Sequence, residues 1–174
     1  IRDGFTTAMN QKMENMWAEK LGLITYDASL VNEMLQLMFY SKVDYTIFFR
    51  KLSNIPDNIT QIKDSFYVAS SEQLDAKWIS WMQRWREKIA NNGDHTKIST
   101  KMKLVNPKYT WREWLIAPAY EKAEKGDYSL IKELQAVLAN PYKEQSSAVE
   151  KKYYQLKPKE FFNAGGVSHY SCSS

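Results

Sequence analysis

Cysteine and histidine are almost absent from this sequence, which has one cysteine and two histidines in 174 residues. A single cysteine excludes an internal disulfide framework and a cysteine-based zinc site, and it fits a reducing or intracellular compartment. His95 and His169 stand far apart and neither belongs to an HExxH motif, so no spacing supplies the three or four ligands of a metal site. We therefore interpret both histidines as ordinary surface residues.

Long apolar runs and the common motifs for binding phosphate or activating serine are also missing. No run approaches the roughly 18 residues that cross a bilayer, and no signal-peptide core opens the chain. Neither a glycine-rich phosphate-binding loop nor a GxSxG elbow occurs. Ile1 is not an initiator methionine, so we expect a processed or cut start. The sequence thus predicts no membrane partner, no phosphate cradle and no serine-hydrolase site within the chain.

The composition is that of a folded protein, with 44% hydrophobic and 14% aromatic residues. This apolar content suffices for a packed core and argues against general disorder. Basic residues outnumber acidic ones by 24 to 20, a net charge of +4 that demands no polyanionic partner.

Apolar residues at helical spacing predict an α-helix from Phe5 to Leu21, which Gly22 ends. Asp27, Asp44 and Ser71 are good N-caps, and each precedes a further segment of helical period. The segment from Asn54 to Ser71 has no firm hydrophobic period, and we expect it to form a loop on the surface.

Trp78, Trp81 and Trp85 share one face of the helix that follows Ser71. Such a stripe is typical of core packing; the alternative is an interface with another part of the protein. Asn106 followed by Pro107 predicts the start of another helix, which Pro118 must kink or split.

Asp127 predicts the N-cap of the last clear helix, which ends at Asn140 before Pro141. We therefore predict a mainly α fold, an irregular bundle of six or seven helices. The helical region covers residues 1–140, and an extended tail covers residues 141–174.

Two charged segments are candidate sites. The basic residues Lys97, Lys101, Lys103, Lys108 and Arg112 alternate with aromatic residues, as on surfaces that bind nucleic acid. In a helix that starts at Pro107, however, the aromatic residues Trp111 and Trp114 turn inward, so nucleic-acid binding is disfavoured. Glu121 and Glu124, interleaved with lysines, are typical of a solvated surface rather than of an acid–base pair.

Cys172 lies in the closing run Ser171-Cys172-Ser173-Ser174, after a glycine pair. A reactive thiol needs a cation or a helix N-terminus nearby, and the local sequence supplies neither; His169 need not face the thiol, and Ser168 lies in the same tail. An inert thiol and a thiol that acts on something outside this chain both remain open.

Several segments, in the same order along the chain, resemble the selenoprotein O family. They are residues 20–23, residues 44–46 with Phe49 and Arg50, residues 102–109 with Arg112, residues 124–128 with Leu130 and Leu134, residues 140–142 and the terminal Ser-Cys-Ser-Ser. The resemblance implies the C-terminal part of a larger kinase-like protein adenylyltransferase, which moves AMP from ATP to Ser, Thr or Tyr hydroxyls of other proteins. It also implies that ATP and Mg²⁺ bind upstream, so that this chain has no catalytic, cofactor-binding or metal residue and is inactive alone.

The same resemblance implies a role for Cys172, because some animal members of the family carry selenocysteine at that position. It implies a redox-sensitive terminus whose disulfide partner lies outside this chain, and mitochondrial residence for a eukaryotic member. The partners implied are the upstream kinase-like part and protein substrates. The alternative is a stand-alone helical protein-interaction module without catalysis.

Overall fold

The computed structural model describes residues 2–162, with side chains from residue 4 onward. Helices dominate, and the described residues contain no β-strand beyond one isolated bridge between Val43 and Phe66. Eight α-helices are present in this range: α1 Arg2–Leu21, α2 Ala28–Tyr40, α3 Tyr45–Leu52, α4 Glu72–Ala90, α5 His95–Val105, α6 Glu113–Glu124, α7 Ser129–Leu138 and α8 Ser147–Tyr153. The predicted mainly α class is confirmed.

The chain divides into two compact units, residues 1–106 and 107–174. This differs from the expected division at residue 140. The described part of the expected tail is also not wholly extended, because α8 forms there with the Ser146 hydroxyl accepting a hydrogen bond from the Val149 N–H. Within the described residues, no helix is long and apolar enough to cross a membrane.

Three of the predicted N-caps are confirmed in the first unit. The carboxylates of Asp27 and Asp44 accept hydrogen bonds from the N–H groups of Leu30 and Ile47, at 2.9 and 3.0 Å. The Ser71 hydroxyl accepts one in the same way at the start of α4. These local bonds satisfy N–H groups that the helix itself leaves open, so the helix starts follow from short-range sequence.

The segment between α3 and α4 corrects the expectation of a surface loop. It folds into two short 3₁₀ turns, Ile59–Gln61 and Lys63–Ser65. Ile59, Ile62 and Phe66 are buried in the core of the first unit. Apolar side chains without a regular period can still be core residues when short turns direct them individually into the core.

A second correction concerns residues 94–112. Asp94 caps α5, a helix that the sequence analysis did not predict, and Asn106 is its C-cap rather than the N-cap of a following helix. Residues 107–112 are not helical, and α6 begins only at Glu113. Pro118 lies inside α6 without splitting it.

The core of the first unit is built on the tryptophans of α4, and their predicted core role is confirmed because all three are fully buried. The rings of Trp81 and Trp85 stack, with centroids 5.9 Å apart, and Trp78 meets Trp81 edge-on. Each indole N–H also donates a 2.8 Å hydrogen bond. The acceptor is Ser41 Oγ for Trp78, the Leu30 carbonyl for Trp81 and the Leu21 carbonyl for Trp85. The stripe therefore supplies apolar contact and satisfies its own polar atoms.

The second unit has a smaller core on α6, α7 and α8, formed by Tyr109, Ala119, Leu134, Val137 and Tyr153. Beside it, the Lys108 side chain is buried and pairs with two carboxylates, Glu144 at 2.5 Å and Glu150 at 3.0 Å. Burial lowers the pKa of the Lys108 ammonium, but the hydrogen bonds from it to both glutamates outweigh burial and raise it. This ammonium is thus held as a cation inside the unit.

Replacing Trp85 by Phe tests the role of the stripe. The substitution removes the donor to the Leu21 carbonyl and leaves a gap in a close-packed core, so we expect the free energy of unfolding to fall by about 2–4 kcal/mol. Urea denaturation followed by far-ultraviolet circular dichroism measures the change.

The matched control is Trp111→Phe, because the Trp111 side chain is 67% exposed. We expect its effect to stay within about 0.5 kcal/mol. Equal losses for the two variants would contradict the role assigned to the stripe.

Candidate functional site

The polar residues that the structure brings together lie at the C-terminal end of α1. The last four carbonyl groups of any α-helix lack partners within the helix. In α1 the first two of these are satisfied by the following turn, since the Leu23 N–H donates to Ala18 and the Gly22 N–H to Glu19. Gly22 makes this turn possible, with φ +67°, a conformation that glycine adopts freely.

The remaining carbonyls at this end receive side chains that are distant in sequence. Asn106 Nδ2 donates to the Lys20 carbonyl at 2.9 Å, and Trp85 Nε1 donates to the Leu21 carbonyl at 2.8 Å. Asn92 Nδ2 donates to the Gly22 carbonyl at 3.1 Å. Every carbonyl from residue 18 to residue 22 therefore has a hydrogen-bond donor.

Asn106 is the centre of this arrangement, because its side-chain amide is fully buried and both its oxygen and its nitrogen form hydrogen bonds. Its Oδ1 accepts a 3.1 Å bond from Lys20 Nζ, and its Nδ2 also donates to Ser53 Oγ at 3.0 Å. Arg50, itself buried, donates from Nη1 to the carbonyls of Lys103 and Asn106, at 3.0 and 3.1 Å. We call Lys20, Arg50, Ser53 and Asn106 the polar clamp, since together they join α1, α3 and α5.

Lys20 also lies against aromatic rings. Its Nζ stands 5.2 Å from the Tyr45 ring centroid and 5.0 Å from that of Phe49, within the range of cation–π attraction. Burial lowers the pKa of the Lys20 ammonium and raises the pKa of the Tyr45 phenol. The hydrogen bonds of the clamp join groups of the chain itself, so its geometry is that of an anchor between helices.

Gly22 also permits the close approach of α5. A Cβ atom built on this residue would lie 2.7 Å from Ile98 Cγ2 and 2.8 Å from the Met102 sulfur. Beside this contact lies an apolar groove of about 480 Å³, lined in part by Leu23, Ile24 and Leu104. The end of α1 is thus both hydrogen-bonded and closely packed.

The residues singled out from the sequence do not converge on a reactive centre in the described part. Cys172, His169 and Ser168 lie outside the described residues. His95 is exposed at the first position of α5, and the described residues contain no group of three or more His, Cys, Asp or Glu that could hold a metal ion.

The two charged segments also have plain structural explanations. In the basic stretch, Lys108 and Tyr109 are buried and present no surface to a nucleic acid, whereas Lys97 and Lys101 are exposed. Trp111, expected to turn inward, is exposed because no helix starts at Pro107. Glu121 and Glu124 are exposed, as expected for a solvated face.

The comparisons with known proteins identify the class. A family model described as protein adenylyltransferase SelO matches residues 2–139. This match covers more than half of the chain, and the chain belongs to that family.

Relatives named protein nucleotidyltransferase YdiU support the assignment. Those of Aromatoleum aromaticum and Stutzerimonas stutzeri are 30% and 37% identical to the chain, over 182 and 151 residues. The alignments cover 99% and 85% of this chain but only 34% and 29% of the relatives. The chain thus spans about a third of the relatives' length and corresponds to their C-terminal region.

Three of the four clamp residues come from segments that carried the family resemblance. Lys20 comes from the first, Arg50 from the second, and Asn106 from the third. Sequence reasoning did not foresee that they meet, because it assigned Asn106 to the start of a helix. Asp94, followed by Ile98 and Met102 at helical spacing, is the signal that could have placed Asn106 at a helix end.

Substituting Asn106 by Leu tests the clamp. Leu has a similar size but no polar atoms, so the Lys20 carbonyl, the Ser53 hydroxyl and the Lys20 ammonium each lose a buried partner. We expect a loss of about 2–4 kcal/mol in the free energy of unfolding, measured by urea denaturation.

Asn10→Leu is the control, since Asn10 is exposed on α1 and surface substitutions of this kind stay within about 0.5 kcal/mol. A loss at Asn106 no larger than at Asn10 would show that the clamp contributes nothing to stability.

Proposed function

We propose that this chain is the C-terminal helical part of a protein adenylyltransferase. In this proposal the whole protein transfers AMP from ATP to Ser, Thr or Tyr hydroxyls of protein substrates. The single observation that carries the proposal is the family match over residues 2–139. The relatives' name, protein nucleotidyltransferase, agrees with the reaction class.

The proposal places the chemistry upstream of this chain, in a kinase-like part that binds ATP and Mg²⁺. The structure gives this division physical support, because the polar groups of the clamp are engaged with the helix ends of the chain itself. In this proposal the two helical units form a support for the catalytic part, and the chain alone transfers no nucleotide.

Cys172 has a separate place in the proposal. The chain has one cysteine, so a disulfide at Cys172 needs a second thiol from outside the chain. An oxidant such as hydrogen peroxide would take one hydrogen from each of the two thiols and leave the S–S bond. Such a bond could hold a loop of the catalytic part and change activity with redox state. Mitochondrial residence is proposed from the family resemblance alone.

Nucleotide transfer is tested with ATP labelled at the α-phosphate. The full-length protein, which contains the upstream part and this chain, is expected to label a protein acceptor in the presence of Mg²⁺. The 174-residue chain under the same conditions is expected to label none. Labelling by the chain alone would contradict the proposal that the chemistry lies upstream. No labelling by the full-length protein would contradict the proposed reaction.

Cys172→Ser tests the redox role in the full-length protein. We expect the parent protein to differ in activity between peroxide and dithiothreitol, and we expect the variant to have one activity under both conditions. Ser171→Ala, next to the thiol, is the control and should respond as the parent does. A redox response that persists in Cys172→Ser would contradict the proposed switch.

A further inference from the structure

The N-terminal half of α1 stands apart from the core of its unit. Every described residue from 4 to 13 is exposed, although this stretch contains large apolar side chains. Phe5, Met9, Met13 and Met16 are 69%, 47%, 50% and 37% exposed. Single exposed apolar residues are ordinary, but a row of them on one helix usually marks a contact surface.

The spacing of these four residues places them on one stripe. They follow each other by four, four and three positions, which keeps them on the same face of a helix with 3.6 residues per turn. The buried residues Ala18 and Leu21, near the other end of α1, belong to a different face. We call Phe5, Met9, Met13 and Met16 the α1 stripe. It does not continue the core of the first unit.

The far end of the same helix is firmly held. The five carbonyls from residue 18 to residue 22 all accept hydrogen bonds, three of them from side chains of α4, the turn after it and the end of α5. An isolated helix of about 12 residues is marginal in water, so the exposed half depends on this anchor or on a surface that covers it. The anchor also fixes the direction in which the stripe is presented.

We propose that the α1 stripe docks against the upstream part of the same polypeptide. This inference rests on the proposed function in that it takes the whole protein to have the relatives' length. About two thirds of that length lies outside the part that this chain matches. The family match starts at residue 2 and includes the stripe, so the exposed half-helix belongs to the family's shared region.

Two other occupants fit the observations less well. A second copy of the chain would need roughly 800 Å² per partner for a stable interface, more than four side chains on one helix provide. A contact within one polypeptide needs far less area, because the linkage supplies a high effective concentration. An anionic membrane surface favours helices rich in Lys and Arg, whereas residues 4–16 hold one lysine, Lys12, and one glutamate, Glu14.

The first experiment locates the partner directly in the full-length protein. A photo-cross-linking amino acid replaces Met13, and in a second sample it replaces Gln11, which lies on the opposite side of the same exposed half. After irradiation, we expect peptides of the upstream part joined to position 13 and not to position 11, as mapped by mass spectrometry. Cross-links mainly to a second copy, to added vesicles or to neither would overturn the proposal.

The second experiment measures the consequence of breaking the contact. In the full-length protein, Met9→Glu with Met13→Glu places two charges on the stripe. We expect amide exchange over residues 5–16 to become about tenfold faster and the thermal midpoint to fall.

The matched control is Gln11→Glu with Asn15→Glu, which introduces the same pair of charges four residues apart on the opposite face. It should leave both quantities close to those of the parent. Equal effects of the two pairs would overturn the proposal. Neither experiment depends on nucleotide transfer, so a docked stripe in a protein that transfers no AMP would refute the proposed function alone.

Discussion

Buried helix ends are the constraint on which the first unit depends. A helix that stops inside a protein leaves carbonyl groups without partners, and each one costs free energy unless a donor reaches it. At the end of α1, Trp85, Asn92 and Asn106 supply donors from elements that lie far along the chain. Arg50 does the same for the last turn of α5. These bonds fix where the helices stop relative to one another.

The same constraint explains why polar residues are found deep in an apolar unit. Asn106 and Arg50 are as buried as the aromatic core, and together they donate to the backbone carbonyls of Lys20, Lys103 and Asn106. Buried polar groups of this kind contribute to stability only as a complete set, since removing one leaves several others unsatisfied. The hydrogen bonds of the clamp join the ends of α1, α3 and α5, which is the arrangement of an anchor.

The sequence predicted what short-range rules control and missed what distant contacts decide. Asp27, Asp44 and Ser71 cap their helices through N–H groups three residues away, and all three were predicted. The hydrogen bond between Asn106 and Lys20 joins residues 86 positions apart, and no local sequence pattern predicts it. α5 was missed because its lysines made the segment resemble a charged surface, and only Ile98 and Met102 are buried in it. The family resemblance could be found from the sequence because it depends on short runs of consecutive residues and not on contacts between distant residues.

If the catalytic part lies upstream and this chain is its helical support, the nucleotide should bind to the upstream part alone. Calorimetric titration with ATP and Mg²⁺ of the full-length protein and of the 174-residue chain tests this account most directly. It predicts saturable binding by the full-length protein and no binding heat with the chain. Binding of comparable affinity by the chain alone would contradict it.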